Sequence, residues 1–208
     1  LLARKYNFIL AVDECYCDIF RMNRPKPPGA LEAAASLGKG LDNLIIFNSL
    51  SKRSNASGMR AGFIAGDKNI IDGYKLLVSN GASPVPIPIQ KVAAALYNDE
   101  EHHEKACIHY DQNFSIVEKY LKPFYNDFKL PDAGFFLWLK VKDDQQAAKI
   151  LWNKFSLRVM PGSFMGTNVE GLNPGQGFLR ISVVDDKEVI EETMKRLQLF
   201  LQLEFLNG

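Results

Sequence analysis

The stretch IIFNSLSKRSNASGMRAGFIAGD, residues 45–67, sets a polar segment containing Lys52 between two short apolar runs. Both runs are continuously apolar and rich in β-formers, which is typical of strands buried on both faces of a parallel sheet. A lysine at the end of such a strand loses solvation unless it is paired or used chemically. The stretch therefore predicts an α/β fold and makes Lys52 a candidate functional residue.

The residues around this stretch extend the same pattern. NFILAVD, residues 7–13, is a third apolar run, so we expect three inner strands of a largely parallel sheet. A Pro-rich loop and a short Ala/Leu helix lie between the first two strands, which predicts a crossover connection. The segment 67–80 predicts a helix capped by Asp67.

The second half of the chain has a different texture. After the proline-broken GASPVPIPIQ we predict a helical stretch over residues 89–121, with a boundary near Asn98. An alternating strand LPDAGFFLWLKV, a helix over residues 144–155, a short strand ending at Met160, a Gly-rich loop and a strand GFLRISVV follow. In the terminal helix one apolar stripe is predicted to pack in the core: Val189, Ile190, Met194, Leu197 and Leu201. This second unit is predicted to be α+β.

The chain opens with LLARKYN, a pattern typical of the end of a helix that leads into a buried strand. Three strands alone make a poor parallel sheet, because both faces of such a sheet need cover. We therefore expect the chain to be the C-terminal part of a longer polypeptide.

Composition excludes several classes of function. The 208 residues are 47% hydrophobic and 24% charged, with a net charge of +1 and no basic stripe, so we expect neither nucleic acid nor a membrane as partner. No apolar run reaches the roughly 18 residues of a membrane span. We therefore expect a soluble protein. Cys15 and Cys17 lie only two positions apart and Cys107 lies far off, which indicates a reducing, cytoplasmic compartment without disulfides. The histidines show no metal-ligand spacing, and His102 and His103 are expected on a solvated helix face, so we expect no metal.

Two polar residues follow the first strand. Asp13 ends the run FILAVD, and the carboxyl ends of parallel strands are where α/β proteins bind ligands. Tyr16 comes three residues later, so its hydroxyl can reach the same pocket. Taken alone, Asp13 is better explained as a helix cap or a turn residue, and Tyr16 can be explained as an aromatic residue of an interface.

A second polar cluster follows the next strand and comprises Ser49, Ser51, Lys52 and Arg60. A phosphate-binding P-loop is excluded because no GxxxxGK[ST] is present. Two explanations remain: an incidental polar loop, or a lysine that forms a Schiff base beside an anion site of hydroxyls and a guanidinium. Arg180 lies within the apolar FLRISVV, which argues against a surface cation.

In order along the chain, these motifs resemble class I/II aminotransferases, the fold-type I enzymes that depend on pyridoxal phosphate. The matching elements are DECY at residues 13–16, SLSK at residues 49–52, an arginine eight residues after the lysine, and an arginine in a late strand. More narrowly, GASPVPIPIQKVAAALYNDEEH and VMPGSFMG are similar to proteobacterial N-succinyldiaminopimelate aminotransferases of lysine biosynthesis. The resemblance runs through the whole chain.

The resemblance implies a role for each candidate residue. Lys52 would attach the cofactor covalently and serve as general base and acid for proton transfer. Asp13 would pair with the protonated ring nitrogen of the cofactor and Tyr16 would hydrogen-bond its phenolic oxygen. The phosphate would be held by Ser49, Ser51 and Arg60. The substrate α-carboxylate would be held by Arg180, whose planar fork matches a carboxylate at two points.

The resemblance also implies an architecture and a reaction. Residues 1–98 would be the C-terminal portion of the large, mostly parallel cofactor-binding domain, and residues 99–208 the small α+β C-terminal domain. The reaction would move an amino group from a donor, glutamate, to a keto acid such as N-succinyl-2-amino-6-oxopimelate, in a homodimer. In such enzymes the ring-stacking aromatic residue, the asparagine at the ring oxygen and a Gly-rich phosphate loop belong to the N-terminal half, and none is found here.

Other functions share these residues. Aspartate, aromatic and kynurenine aminotransferases and some carbon–sulfur lyases use the same scaffold and the same Asp13, Lys52 and Arg180. From another class, an aminotransferase-like domain can be the ligand-sensing part of a transcription regulator. A winged-helix segment upstream would indicate the regulator, and a Gly-rich cofactor loop would indicate the enzyme.

Overall fold

The fold was established from a computed structural model, which describes residues 1–38 and 40–206, with side chains through residue 203. The contacts within the chain divide it into two compact units, Leu1–Cys107 and Ile108–Gly208. The division falls inside a long helix, whereas the sequence placed a boundary near Asn98. Each unit is described by itself.

The first unit combines a small sheet with helices, which fits the predicted α/β pattern. The crossover helix is present, as predicted, between the first two strands, and Asp67 caps the fourth helix by accepting a hydrogen bond from the backbone N–H of Asn69 (2.8 Å). Its elements are α1 (Leu2–Tyr6), β1 (Leu10–Asp13), α2 (Ala30–Ser36), β2 (Leu44–Ser49), α3 (Leu50–Arg53), a 3₁₀ turn (Ser57–Met59), β3 (Gly62–Gly66), α4 (Lys68–Gly81) and α5 (Ile87–Asn98).

The sheet of the first unit has the order β1-β2-β3. Strands β1 and β2 are parallel, with Asp13 opposite Phe47, but β3 runs antiparallel to β2, with Gly62 opposite Ser49. The sequence predicted a largely parallel sheet, and β3 is its antiparallel member. The link between β2 and β3 contains only a one-turn helix and a 3₁₀ turn, so no long crossover helix carries the chain back to the starting end.

Burial in this sheet is uneven. The first three residues of β2 are buried, whereas most of β1 is exposed, so the prediction of burial on both faces fails for β1. Backbones approach closely where β3 meets β2: a Cβ on Gly66, which has φ +147°, would lie 2.1 Å from the carbonyl oxygen of Leu44. Only glycine fits there, because any larger residue would overlap the neighbouring strand.

The second unit is built around one antiparallel sheet of order β4-β6-β5. One face packs on helices to form a large apolar core that includes Phe114, Leu139, Leu151, Leu179 and Met194. The predicted α+β character and the helix over residues 144–155 are confirmed. The elements are α6 (Glu101–Leu121, which begins in the first unit), a 3₁₀ turn (Lys122–Phe124), β4 (Phe136–Lys140), α7 (Asp144–Phe155), β5 (Met160–Pro161), a 3₁₀ turn (Gly162–Phe164), β6 (Phe178–Ser182) and α8 (Lys187–Leu206).

Three finer predictions need correction. The helical stretch over residues 89–121 is two helices, α5 and α6, interrupted at positions 99 and 100. His103 is buried rather than solvated, because its ring packs against the segment that follows β1. In α8 the predicted stripe holds for Ile190, Met194, Leu197 and Leu201, which are buried, but Val189 is 51% exposed and lies beside the stripe.

Candidate active site

Strand direction brings the candidate residues of the first unit to one edge of its sheet. Asp13 ends β1 and Ser49 ends β2, and these strands are parallel, so both residues lie at the carboxyl edge. Because β3 is antiparallel to β2, its first residue, Gly62, pairs with Ser49 at that same edge. Arg60, two residues before Gly62, is therefore delivered to the edge as well.

Asp13 is held as a carboxylate. The thiol and the backbone N–H of Cys15 both donate hydrogen bonds to it, with the backbone nitrogen 3.0 Å from Oδ1, and these bonds lower the pKa of Asp13. Burial, together with the nearby Asp13 carboxylate, raises the pKa of Cys15 to about 11, so the thiol keeps its proton at neutral pH. The edge therefore offers a fixed negative charge that suits a cationic nitrogen.

Lys52 lies on α3, a single helical turn that begins at this edge. Ser49 caps the turn, because its hydroxyl accepts the backbone N–H of Ser51 (3.1 Å). The ammonium nitrogen of Lys52 lies 5.6 Å from the centroid of the Tyr16 ring, within the range of a cation–π contact. The segment after β1 and the turn after β2 thus bring Tyr16 and Lys52 together.

The hydroxyls and the guanidinium form a separate group of donors. The Ser49 hydroxyl donates to Oγ of Ser51 (2.8 Å), which directs the Ser51 hydroxyl hydrogen elsewhere. Arg60 adopts a left-handed backbone conformation, φ 51°, and its Nη1 donates to the carbonyl oxygen of Ser57 (2.8 Å). All three side chains line one cavity of about 840 Å³. Because the Ser49 hydroxyl hydrogen is donated to Ser51, the Ser51 hydroxyl and the Arg60 guanidinium are the donors of this group that suit an anion such as a phosphate.

Two further polar residues line this cavity and were not predicted from the sequence. The Tyr97 hydroxyl donates to Oδ1 of Asn48 (3.0 Å), and burial raises the pKa of Tyr97 to about 12, so this hydroxyl remains a donor. The amide nitrogen of Asn48 in turn contacts the carbonyl oxygen of Glu14 (3.4 Å), beside Asp13. The signal for Asn48 was an amide within an otherwise apolar strand, directly before Ser49.

Arg180 belongs to the second unit, so it is described separately from the other candidates. It lies on β6 opposite Trp138 of β4 and Met160 of β5. The central carbon of its guanidinium lies over the Phe136 ring, 4.4 Å from the ring centroid and within the range of a cation–π contact. The side chain is half-buried, on the sheet face opposite to the core.

These groups fit pyridoxal phosphate by the chemistry of their donors. The cofactor needs an amine for covalent attachment, a carboxylate for its ring nitrogen and donors for its phosphate. The first unit provides Lys52, Asp13 as a carboxylate, and the donors of Ser51 and Arg60 at one sheet edge, with Ser49 hydrogen-bonded to Ser51. Across the described residues, no group of three or more His, Cys, Asp or Glu side chains could hold a metal ion.

Comparison with known proteins identifies the family. The profile of the family described as aminotransferase class I and II matches residues 1–197. The chain belongs to this family, whose members use pyridoxal phosphate. This agrees with the fold and with the class I/II resemblance inferred from the sequence motifs.

Individual relatives agree with this assignment. A solved aminotransferase from Neisseria meningitidis superposes with a TM-score of 0.88 at 39% identity, covering 98% of this chain and 51% of that one. The aminotransferase AspB from Helicobacter pylori superposes with a TM-score of 0.85 at 32% identity, with the same coverage. An LL-diaminopimelate aminotransferase from Maridesulfovibrio salexigens is 27% identical over 200 residues, which is 94% of this chain and 49% of the relative. The chain spans about half the length of the relatives that it matches.

No helix within the described part of the chain is both long enough and apolar enough to cross a membrane.

Proposed function

We propose that the protein containing this chain is a pyridoxal-phosphate-dependent transaminase. The observation that supports this most directly is the convergence of Asp13, Lys52 and Arg60 at one sheet edge, where the strand directions bring an amine, a carboxylate and an anion-binding guanidinium together. Membership of the class I and II family supports the same reaction.

In this proposal each side chain has a defined role. When bound, pyridoxal phosphate supplies an electron sink that acidifies the α-hydrogen of an amino acid. The Lys52 amine attaches the cofactor and moves the proton at the substrate α-carbon. The carboxylate of Asp13 keeps the ring nitrogen protonated, and Tyr16 donates to the ring oxygen. Ser49, Ser51 and Arg60 bind the phosphate.

The substrate contact comes from the second unit. We assign Arg180 to the α-carboxylate, because its guanidinium lies over the Phe136 ring and a guanidinium presents a planar fork of donors that matches a carboxylate. In this scheme the first unit is the cofactor-binding part and the second is the small substrate-binding part. The whole enzyme is expected to be a cytoplasmic homodimer, as enzymes of the resembled type usually are, and light scattering of the purified protein tests the stoichiometry.

For the substrate pair we propose glutamate as the amino donor and N-succinyl-2-amino-6-oxopimelate as the keto acceptor. The similarity of sequence motifs supports this choice, and the relatives named LL-diaminopimelate aminotransferase support a substrate of the diaminopimelate type. Kinetics with N-succinyl-LL-diaminopimelate and with LL-diaminopimelate, compared at equal concentration, separates the two. A preference for the unacylated compound would reject the succinyl assignment and keep the reaction type.

The role of Lys52 has a direct chemical test. The protein is incubated with pyridoxal phosphate, reduced with borohydride and digested, and the labelled peptide is identified by mass spectrometry. We expect label on Lys52 and its loss in Lys52→Arg, which keeps the positive charge but does not attach the cofactor. Lys68, exposed on α4 and paired with Asp72, serves as an internal control for unspecific labelling. Label on a different lysine would refute the assignment.

A further inference from the structure

The turn that carries Lys52 needs support from outside itself. Helix α3 has only four residues, and an isolated helix of that length is unstable. Two of its side chains point into the protein: Leu50 is fully buried and Arg53 is 5% exposed. Leu50 packs in an apolar cluster with Ala61 and Ala93, whereas Arg53, next to Lys52, buries a positive charge.

The Arg53 guanidinium connects three segments of the first unit. Its Nη2 donates to Oε1 of Glu100 (2.8 Å), just before α6, and its Nη1 lies 3.6 Å from Oδ1 of Asp18, in the segment after β1. Lys26 also contacts this Asp18 oxygen, at 3.3 Å. Because Tyr16 precedes Asp18 by two residues, Arg53 connects the Tyr16 segment with the turn that carries Lys52.

Other contacts tie the start of α6 to the same two segments. His103 is buried, and its Nε2 contacts the carbonyl oxygen of Asp18, while its Nδ1 lies 3.4 Å from Oε2 of Glu100. The neighbouring His102 contacts Oγ of Ser54 (2.8 Å), directly after α3. The start of α6 therefore contacts both the segment after β1 and the residue after α3, and Arg53 binds Glu100 directly before this helix.

The energetics of the buried pair between Arg53 and Asp18 indicate a geometric role. Removing a charge from water costs several kcal/mol, and an apolar side chain of similar volume often gives equal or greater stability at such a position. An apolar side chain makes no directional contacts, whereas the rigid guanidinium of Arg53 can donate hydrogen bonds to two carboxylates in fixed directions. Here those two directions set the orientation of α3 and hence the position of the Lys52 amine beside Tyr16.

We propose that Arg53 is a positioning residue that holds Lys52 in register with Tyr16 and Asp13 through its ion pairs with Asp18 and Glu100. This inference rests on the proposed role of Lys52. Arg53 itself contacts neither cofactor nor substrate in this proposal, and it acts only through the turn that it orients.

The test compares variants of Arg53 and of its more exposed partner. Arg53→Met removes the charge and keeps the length, Arg53→Lys keeps the charge without the fork, and Glu100→Gln removes one partner, whose side chain is 65% exposed. The matched control is Lys105→Gln. This change breaks an exposed ion pair between Lys105 and Glu101, which both lie on α6. Three quantities are measured in the protein containing this chain: the rate of borohydride-trapped labelling at Lys52, kcat with KM, and the unfolding midpoint.

A misplacement of about 1 Å can reduce a catalysed rate about 100-fold, so we expect Arg53→Met to slow both labelling and kcat by about that factor, with KM little changed. Arg53→Lys should restore part of the loss, since one point charge holds one carboxylate at a time. Glu100→Gln should slow labelling in the same direction by a smaller factor. If Arg53→Met does not fold, the labelling rate of Glu100→Gln decides whether the ion pairs of Arg53 position Lys52. Lys105→Gln should match the unaltered protein.

Two outcomes would overturn the inference, and they are distinguishable. If the unaltered protein carries no label on Lys52, the proposed function fails and this inference fails with it. If Lys52 is labelled equally fast in Arg53→Met and Glu100→Gln while only the unfolding midpoint falls, Arg53 stabilises the unit without positioning Lys52, and the inference alone is rejected.

Discussion

Asp144 should contribute more to the stability of the second unit than any charge at the surface. The residue is 3% exposed at the start of α7, and its two carboxylate oxygens accept the backbone N–H groups of Ser163 (2.8 Å) and Gly177 (3.1 Å). It thus holds both ends of the loop between β5 and β6, the strand that carries Arg180. Burial by itself would raise the pKa of Asp144, but the hydrogen bonds from Ser163 and Gly177 outweigh it and lower the pKa.

The change Asp144→Asn replaces one acceptor oxygen by an N–H₂ group, which then faces a backbone donor. A hydrogen bond to a charged group contributes roughly 1.5–3 kcal/mol, so we expect a loss of about 2 kcal/mol. For a unit of this size 1 kcal/mol corresponds to about 4–8 °C, which gives a fall in Tm of about 8–16 °C. The matched control is Asp143→Asn at the neighbouring helix cap, where asparagine caps as well as aspartate and the change should stay within about 0.5 kcal/mol.

Tryptophan fluorescence suits the measurement of unfolding, because both tryptophans of the chain, Trp138 and Trp152, lie in the second unit.

The stabilisation by Asp144 should depend on pH in a definite direction. A carboxyl whose folded pKa is lowered stabilises the fold above its unfolded pKa, near 3.8, and this contribution disappears as the pH falls through the folded value. The difference between the unaltered protein and Asp144→Asn should therefore be full at pH 7 and shrink below about pH 4. Equal effects of Asp143→Asn and Asp144→Asn, or a difference that persists in acid, would refute the reasoning.

Three further predictions concern the sites themselves. Arg180→Ala should raise KM for both amino donor and keto acceptor while the absorbance of bound cofactor stays nearly intact, at a cost of about 2–5 kcal/mol in transition-state binding, and unchanged kinetics would remove Arg180 from the site. Cys15 and Cys17 should react with iodoacetamide at pH 8 roughly tenfold more slowly than a thiol with pKa 9.0, because burial raises the pKa of each to about 11 and the lower thiolate fraction is only partly offset by the greater nucleophilicity of a more basic thiolate, and mass spectrometry of quenched samples measures the rates. Residues 1–208 expressed alone should show no glutamate-dependent turnover with pyridoxal phosphate, since the ring-stacking aromatic residue and Gly-rich phosphate loop of the resembled enzymes are not found here, and robust turnover by a monodisperse species would contradict this.

Local patterns in the sequence were enough to predict the existence of the strands, the crossover helix and the residues at the ends of β1 and β2, although β5 begins at Met160, where the predicted strand ended. Asp13, Ser49 and Lys52 each follow an apolar run, and that position alone predicts the carboxyl edge of a sheet. The direction of β3 was not predictable in this way, because an apolar run shows that a strand exists but not how it is paired.

The sequence also did not predict which charged and polar side chains are buried, because their burial depends on contacts with residues that are distant in the sequence. His103 was expected in solvent, yet it contacts a carbonyl oxygen 85 positions earlier. Arg53 follows Lys52 in a polar segment, and only the folded chain brings Glu100, 47 positions away, to its guanidinium. The alternating charges at the start of α6 predict a solvent-exposed face. They do not indicate that the segment after β1 covers the first turn of this helix.

The two units differ in how they hold their candidate site residues. The second unit packs a large apolar core against one face of its sheet, so the strand that carries Arg180 is supported from within the unit. The first unit has small apolar clusters, while Phe8, Ile9 and Leu10 around β1 and Phe63 on β3 are each 43–59% exposed. Exposed apolar surface at the edge of a sheet favours association with another polypeptide, because the unpaired backbone N–H and C=O groups of an edge strand can also form hydrogen bonds with it. In the first unit the candidate site is thus supported by small apolar clusters and, in our proposal, by the ion pairs of Arg53, whereas Arg180 lies on a strand supported by the large core of its own unit.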